Sequence, residues 1–143
     1  MIITPPKIPK KFQPRGFHML HEDLAIIVGN KAPGFLTVAA LWEKENTIEN
    51  ALNTYIRKGA SLSKKQIYVV HRLDQATSGI LIFAKSEKVQ RFLKENWPTT
   101  VKYYYTIVHG KLPQKTGLIE SYLQEDEDYI VSSTNDPSQG KLA

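Results

Sequence analysis

Residues 68–85 read YVVHRLDQATSGILIFAK, and this stretch decides the fold. Two short apolar runs, Tyr68-Val69-Val70 and Ile80-Leu81-Ile82-Phe83, flank a polar loop. Both runs are β-branched or aromatic and are bounded by Thr, Ser and Gly, the pattern of two buried strands. Between them lie His71, Arg72, Asp74, Thr77 and Ser78. An ionisable loop held between two buried strands gives a rigid scaffold a place to present reactive groups. Asp74 is the only carboxylate between Asn50 and Glu87. Arg72, two residues away, would favour its charged form, since a nearby cation lowers a carboxyl pKa. Two readings stand at this point, a structural ion pair and a catalytic carboxylate. The order H-R-L-D also differs from the kinase loop H-R-D-L, and neither a Gly-rich loop before it nor a D-F-G after it is present.

The rest of the chain extends this frame. Leu24-Ala25-Ile26-Ile27-Val28 is a strand candidate, and Gly29 to Gly34 reads as a turn rich in Gly, Asn and Pro. Lys31 in that turn is a candidate phosphate contact or an exposed turn lysine. Phe35 to Ala40 reads as extended or buried. Asn46 to Arg57 is a helix, with Asn46 as cap, Glu49 as its capping-box partner and Gly59 as the stop. Its apolar face is Ile48, Ala51, Leu52, Tyr55 and Ile56. Lys64 and Lys65 lie in a basic loop that can meet a nucleic-acid backbone or simply face solvent. Ser86 caps a second helix with apolar face Val89, Phe92, Leu93 and Trp97, and Pro98 ends it. Trp97 reads as core by its spacing.

Farther on, VKYYYTIVHG at 101–110 alternates as a long strand, with Tyr103, Tyr105 and Ile107 on one side and Tyr104, Thr106 and Val108 on the other. Leu118–Leu123 and Tyr129–Ser132 follow as strands. The acidic run Glu125–Asp128 between them belongs on a hairpin tip. Residues 1–20 carry four of the eight prolines and several lysines, and read as a basic arm: either lying along RNA or a plain extension.

Composition sets the outer limits. The chain has 143 residues, 41% of them hydrophobic, enough for one modest core. No apolar run approaches the roughly 18 residues of a spanning helix, and no secretory signal is seen, so no membrane partner is expected. Cysteine is absent, which removes disulfides, thiolate metal sites and a cysteine nucleophile, and suits a cytoplasmic protein. The net charge of +5 makes a polyanionic partner plausible through phosphate contacts.

Four motifs carry a family resemblance. His71-Arg72-Leu73-Asp74, then Thr77-Ser78-Gly79, Leu81 and Ala84-Lys85, fit H-R-L-D-x-x-T-S-G-x-L-x-x-A-K. Upstream, Asp23, Ile26, Val28, Asn30-Lys31 and Gly34 follow D-x-x-I-x-V-x-N-K-P-A-G, with Ala32 and Pro33 exchanged. Lys102, Tyr104, Thr106, Val108 and Gly110 follow K-x-Y-x-A-x-V-x-G, with Thr in place of Ala, and Gly140-Lys141-x-Ala143 opens a G-K-x-A strand. From residue 21 onward the chain resembles the RluA-type pseudouridine synthases, which isomerise uridine in ribosomal or transfer RNA.

The resemblance implies an α+β fold: a mixed, mostly antiparallel sheet with flanking helices. It divides the chain into an arm at 1–20 and the N-terminal part of a catalytic domain at 21–143, truncated so that the sheet is incomplete. It implies Asp74 as the essential carboxylate, Tyr104 against the displaced uracil, and Arg72 at the opened RNA. Other RNA contacts would come from His71, Lys31, Thr77, Lys64 and Lys65. No cofactor and no metal are implied, and structured rRNA or tRNA is the expected partner. The alternative is a catalytically incomplete fragment that only binds RNA or self-associates through an open sheet edge.

Overall fold

The computed structural model describes residues 13–58, 60, 62–127 and 130–142. The chain divides into two compact units, one ending at Lys102 and the other beginning at Tyr103.

The first unit is a four-stranded antiparallel sheet with two helices. Its strands are β1 (Phe17–Glu22), β2 (Ile26–Lys31), β3 (Tyr68–Val69) and β4 (Gly79–Ala84), in the spatial order β1-β2-β4-β3. The two expected strands around the polar loop are therefore adjacent, with Tyr68 opposite Ala84 and Val69 opposite Phe83. Period-two alternation turns Ile27, Gly29 and Lys31 of β2 to one face, and Leu81 and Phe83 of β4 to the same core. Phe17 and Phe83 meet edge to face, with centroids 5.7 Å apart. Gly29 makes this possible: a Cβ there would lie 2.4 Å from the Phe17 ring.

Two expectations shift along the chain. The boundary at residue 20 falls inside β1; residues 1–12 of the proposed arm lie outside the described residues. The strand placed at Leu24–Val28 begins at Ile26 and runs to Lys31, because Asp23 closes the preceding turn by accepting from the Ala25 and Ile26 amides at 2.7 and 2.8 Å. A bulge in β1 follows from the register, in which Met19 faces Gly29 but His21 faces Val28. The extra residue, Leu20, reverses the inside-outside phase. Glu22 then takes an inward position, where Tyr55 donates to it at 2.8 Å and Lys85 pairs with it at 2.6 Å.

Helix α1 (Ile48–Arg57) buries Ile48 and Leu52 against the sheet, with Tyr55 and Ile56 beside them. Its cap is Thr47, whose hydroxyl accepts from the Asn50 amide at 3.1 Å; the expected cap, Asn46, is instead bonded to Glu43. The helix closes on Lys58 in the left-handed region, at φ 50°, and the expected stop at Gly59 lies outside the described residues. Helix α2 (Glu87–Glu95) is capped by Ser86 as expected, and Pro98 sits in a short 3-10 turn beyond it. None of its residues is fully buried.

The outer edge of β3 is covered by the helices. The Ile67 amide donates to Asn53 Oδ1 of α1 at 2.8 Å, and Gln90 Nε2 of α2 donates to the Val69 carbonyl at 2.7 Å. Side chains thus satisfy backbone groups that an open edge would offer to another strand.

The second unit holds β5 (Tyr122–Glu125), β6 (Val131–Thr134) and β7 (Lys141–Leu142), antiparallel in the order β6-β5-β7. The acidic run lies at the β5–β6 hairpin as expected, with Asp128 and Tyr129 outside the described residues. The long strand expected at 101–110 is not formed, and 118–121 also stay outside the ladder. The alternation survives in exposure alone: Tyr104 is 62% and Val108 54% exposed, against 100% for Ile107. A strand needs a neighbour to take up its N–H and C=O groups, and among the described residues this segment pairs with none.

Candidate active site

The loop from His71 to Ser78 leaves β3 and returns through β4, and its backbone is fixed on both sides of Asp74. On one side, Thr37 Oγ1 donates to the Leu73 carbonyl at 2.7 Å and accepts from the Leu73 amide at 3.2 Å. On the other, the Gln75 carbonyl accepts from the Gly34 amide at 2.8 Å and from Lys31 Nζ at 3.1 Å. The Gln75 side chain returns a bond to the Gly34 carbonyl at 3.1 Å. The Thr77 amide closes a turn onto the Asp74 carbonyl at 3.1 Å. Asp74 itself is exposed. Its backbone is rigidly held while its carboxylate faces outward, the arrangement a reactive group requires.

Lys31 is not the exposed turn lysine of the sequence reading. It is 0% exposed, and Nζ donates to the carbonyls of Ala32 (3.0 Å), Phe35 (2.7 Å) and Gln75 (3.1 Å). An ammonium has three protons, and all three are spent. This leaves no donor for an RNA phosphate. Burial lowers the Lys31 pKa, and the Asp74 charge acts in the opposite direction. Arg72, the cation expected beside Asp74, is exposed, and among the described residues it forms no ion pair with it.

His71 also turns inward. Its Nε2 accepts from the Ile82 amide at 3.2 Å, and its ring stacks on Trp97 with centroids 4.4 Å apart and planes inclined by 28°. Burial, and after it the charge of Lys102, holds its pKa below the ordinary imidazole value. The neutral ring fits its role as an acceptor. His71 therefore tethers the loop to β4. Trp97, expected in the core, is half-buried against this ring, with Lys102 Nζ 5.7 Å from the indole.

A hollow of about 620 Å3 opens beside the loop, lined among others by Glu49, His71, Arg72, Lys94 and Trp97, and Asp74 is not part of its wall. Burial raises the Glu49 carboxyl pKa. Lys64 and Lys65 line a separate hollow of about 430 Å3 with Lys58 and Lys85. Lys85 follows Ala84, whose strand partner is Ile26, whereas the Asp74 loop joins the Gly79 end, opposite Lys31. The two lysines are therefore at the other end of the sheet from Asp74. Thr77 is half-buried in the turn, and Tyr104 belongs to the second unit.

Sequence reading missed Thr37 and Gln75, which do much of the fixing. Thr37 carries no local signal, and its bonds cross 36 residues. Among the described residues no group of His, Asp or Glu side chains is arranged to hold a metal ion, and no helix is long and apolar enough to cross a membrane.

Comparison with known proteins bears on this geometry. The chain is 32% identical over 130 residues to the ribosomal large subunit pseudouridine synthase D of Borreliella burgdorferi, covering 87% of this chain and 40% of that protein. It is 32% identical over 132 residues to the ribosomal large subunit pseudouridine synthase C of Rickettsia conorii, covering 88% of this chain and 41% of that one. Human RNA pseudouridylate synthase domain containing 4 has a similar fold, with a TM-score of 0.60 over 88% of this chain and 51% of that chain at 19% identity. The chain thus spans about 40% of the length of these curated relatives. A family described as RNA pseudouridylate synthase matches residues 25–143, and the chain belongs to that family.

Proposed function

We propose that this chain carries the catalytic aspartate of an enzyme that isomerises uridine to pseudouridine in structured rRNA or tRNA. The observation that supports this reading is the exposed Asp74 carboxylate on a backbone fixed at both neighbours, Leu73 and Gln75. In the reaction the N1–C1′ bond breaks, a C5–C1′ bond forms, the C5 proton leaves to solvent, and N1 takes up a proton. Asp74 serves either as a nucleophile at C1′ or as the base that removes the C2′ proton. Both roles need the ionised carboxylate.

Exposed Arg72 stands two residues from Asp74, available to the RNA where the base has left the stack. Tyr104 is proposed on the strength of its motif alone, as a flat partner for the displaced uracil. Lys64 and Lys65 would meet backbone phosphates away from the reacting uridine. The reaction as written calls on no cofactor, and it belongs in the cytoplasm with its RNA.

Tritium release from RNA labelled at uracil C5, compared between the chain and Asp74→Asn, tests the proposal. Release that disappears in the variant supports it. Release that persists in the variant defeats it.

One observation favours a second reading. Tyr105, Ile107 and Ile119 of the second unit are almost wholly exposed. Self-association through this apolar segment would cover them. A single monomeric species in sedimentation at high concentration argues against it.

A further inference from the structure

The segment that fixes the Asp74 loop also carries an exposed aromatic turn. Ala40 and Glu43 exchange two backbone hydrogen bonds, at 2.9 and 3.3 Å, and between them Leu41 and Trp42 project at the tip. Trp42 is 78% exposed and Leu41 91%. Large apolar side chains at a tip are normally unconstrained, but this turn is clamped at its base. One Glu43 carboxylate oxygen accepts from the Glu45 and Asn46 amides at 2.9 and 3.0 Å, and the other accepts from Asn46 Nδ2 at 2.9 Å. These bonds hold the Glu43 carboxyl down to a pKa of about 2. Asn46 Oδ1 in turn accepts from Arg15 Nη1 at 3.3 Å, and the Arg15 guanidinium lies 5.7 Å from the Phe35 ring.

We infer that Trp42 is a stacking platform for an unpaired base of the RNA whose uridine reaches Asp74, with Arg15, bonded to Asn46 at the base of the turn, for the backbone. This rests on the reading of the chain as an RNA-modifying enzyme. Position supports it. Trp42 is five residues from Thr37, which bonds directly to the Leu73 backbone next to Asp74. Five residues span at most about 18 Å. At roughly 3.4 Å per stacked nucleotide, that reach corresponds to about five nucleotides. An RNA with its uridine at Asp74 thus has flanking nucleotides within range of the indole.

Chemistry supports it as well. The Glu43 carboxylate keeps its charge, but its oxygens are spent on amides within the turn. Exposed Arg15 supplies the charge that a nucleic-acid backbone needs. Stacking suits an unpaired base of any identity, because every base has a π-face. A rigid tip loses little freedom on binding, which favours a platform over a mobile side chain.

The test measures affinity of the 143-residue chain for a fluorescent stem-loop RNA with a uridine-containing loop, against Trp42→Ala and Trp42→Phe. Trp42→Ala is expected to weaken binding about 5- to 150-fold, and Trp42→Phe to restore part of it. The salt dependence of binding should stay unchanged, since no charge is removed. Abasic substitution along the loop should find one position whose base matters to the unsubstituted chain and not to Trp42→Ala. Equal affinity for Trp42→Ala, or no abasic position coupled to Trp42, overturns the inference while salt-dependent RNA binding leaves the enzyme reading intact. Failure of the unsubstituted chain to bind RNA overturns both. A Trp42→Ala change that alters sedimentation and leaves RNA affinity untouched assigns the turn to self-association, and the inference falls.

Discussion

Lys31 Nζ and the Gln75 carbonyl oxygen lie 3.1 Å apart across 44 residues of sequence. This bond joins the end of β2 to the residue after Asp74, and it places a buried ammonium under the loop that presents the carboxylate. The strand end and the Asp74 loop are in effect one unit.

Replacing Lys31 with Met is expected to lower stability by about 1–3 kcal/mol. The methionine fills the space but takes the lysine donor from the Ala32 and Phe35 carbonyls and leaves the Gln75 carbonyl to the Gly34 amide, while removal of a buried charge offsets part of the loss. Urea unfolding measures this. The Gly34 amide, which shares the Gln75 carbonyl, should also exchange with solvent faster.

Thr37→Val removes the hydroxyl that both donates to and accepts from Leu73. The shape is nearly kept, so the cost comes from the unpaired backbone groups, about 1–3 kcal/mol. Faster hydrogen exchange at the Leu73 amide is the direct readout. Protection equal to the parent would show that this clamp does not hold the loop.

Stability should fall on acidification through the imidazole range because of His71. Its folded pKa lies below the ordinary 6.5, so between the two values the unfolded chain binds a proton that the folded chain does not. The His71 contribution is therefore present above about pH 6.5 and is lost as pH drops toward the folded value. Protonation would also break the bond from the Ile82 amide. Urea midpoints compared at neutral and mildly acidic pH should show this slope, and His71→Gln should flatten it.

Gly29→Ala is expected to destabilise the first unit by about 1–3 kcal/mol through overpacking. The new Cβ would meet the Phe17 ring at 2.4 Å and the His18 carbonyl at 2.6 Å. Thermal unfolding tests it, and an additional Phe17→Leu change should recover part of the loss.

Much of the fold around the candidate site was legible locally. The apolar runs around the polar loop gave β3 and β4, helical spacing gave α1 and α2, and the H-R-L-D run singled out Asp74. Lys31 shows where local reading ends. The signals Gly29-Asn30 and Pro33-Gly34 suggest a turn, yet β2 continues to Lys31 because Phe17 and Gly79 pair with it on both sides. Once the strand reaches that far, its two-residue period sends Lys31 inward with Ile27 and Gly29.

By itself, the sequence determined which segments are apolar on one face, where Ser86 starts a helix, and which carboxylate stands alone in a motif. Those properties depend on neighbours within a few residues. Tertiary structure alone decided that Lys31 supports the Asp74 loop, that Thr37 clamps Leu73, and that Trp97 covers His71. It also decided that 101–110, with a clear strand alternation, forms no ladder among the described residues. The physical reason is common to all four. A hydrogen bond or a stacked ring needs a second group, and the chain's path supplies that group from a distance that a local pattern does not encode.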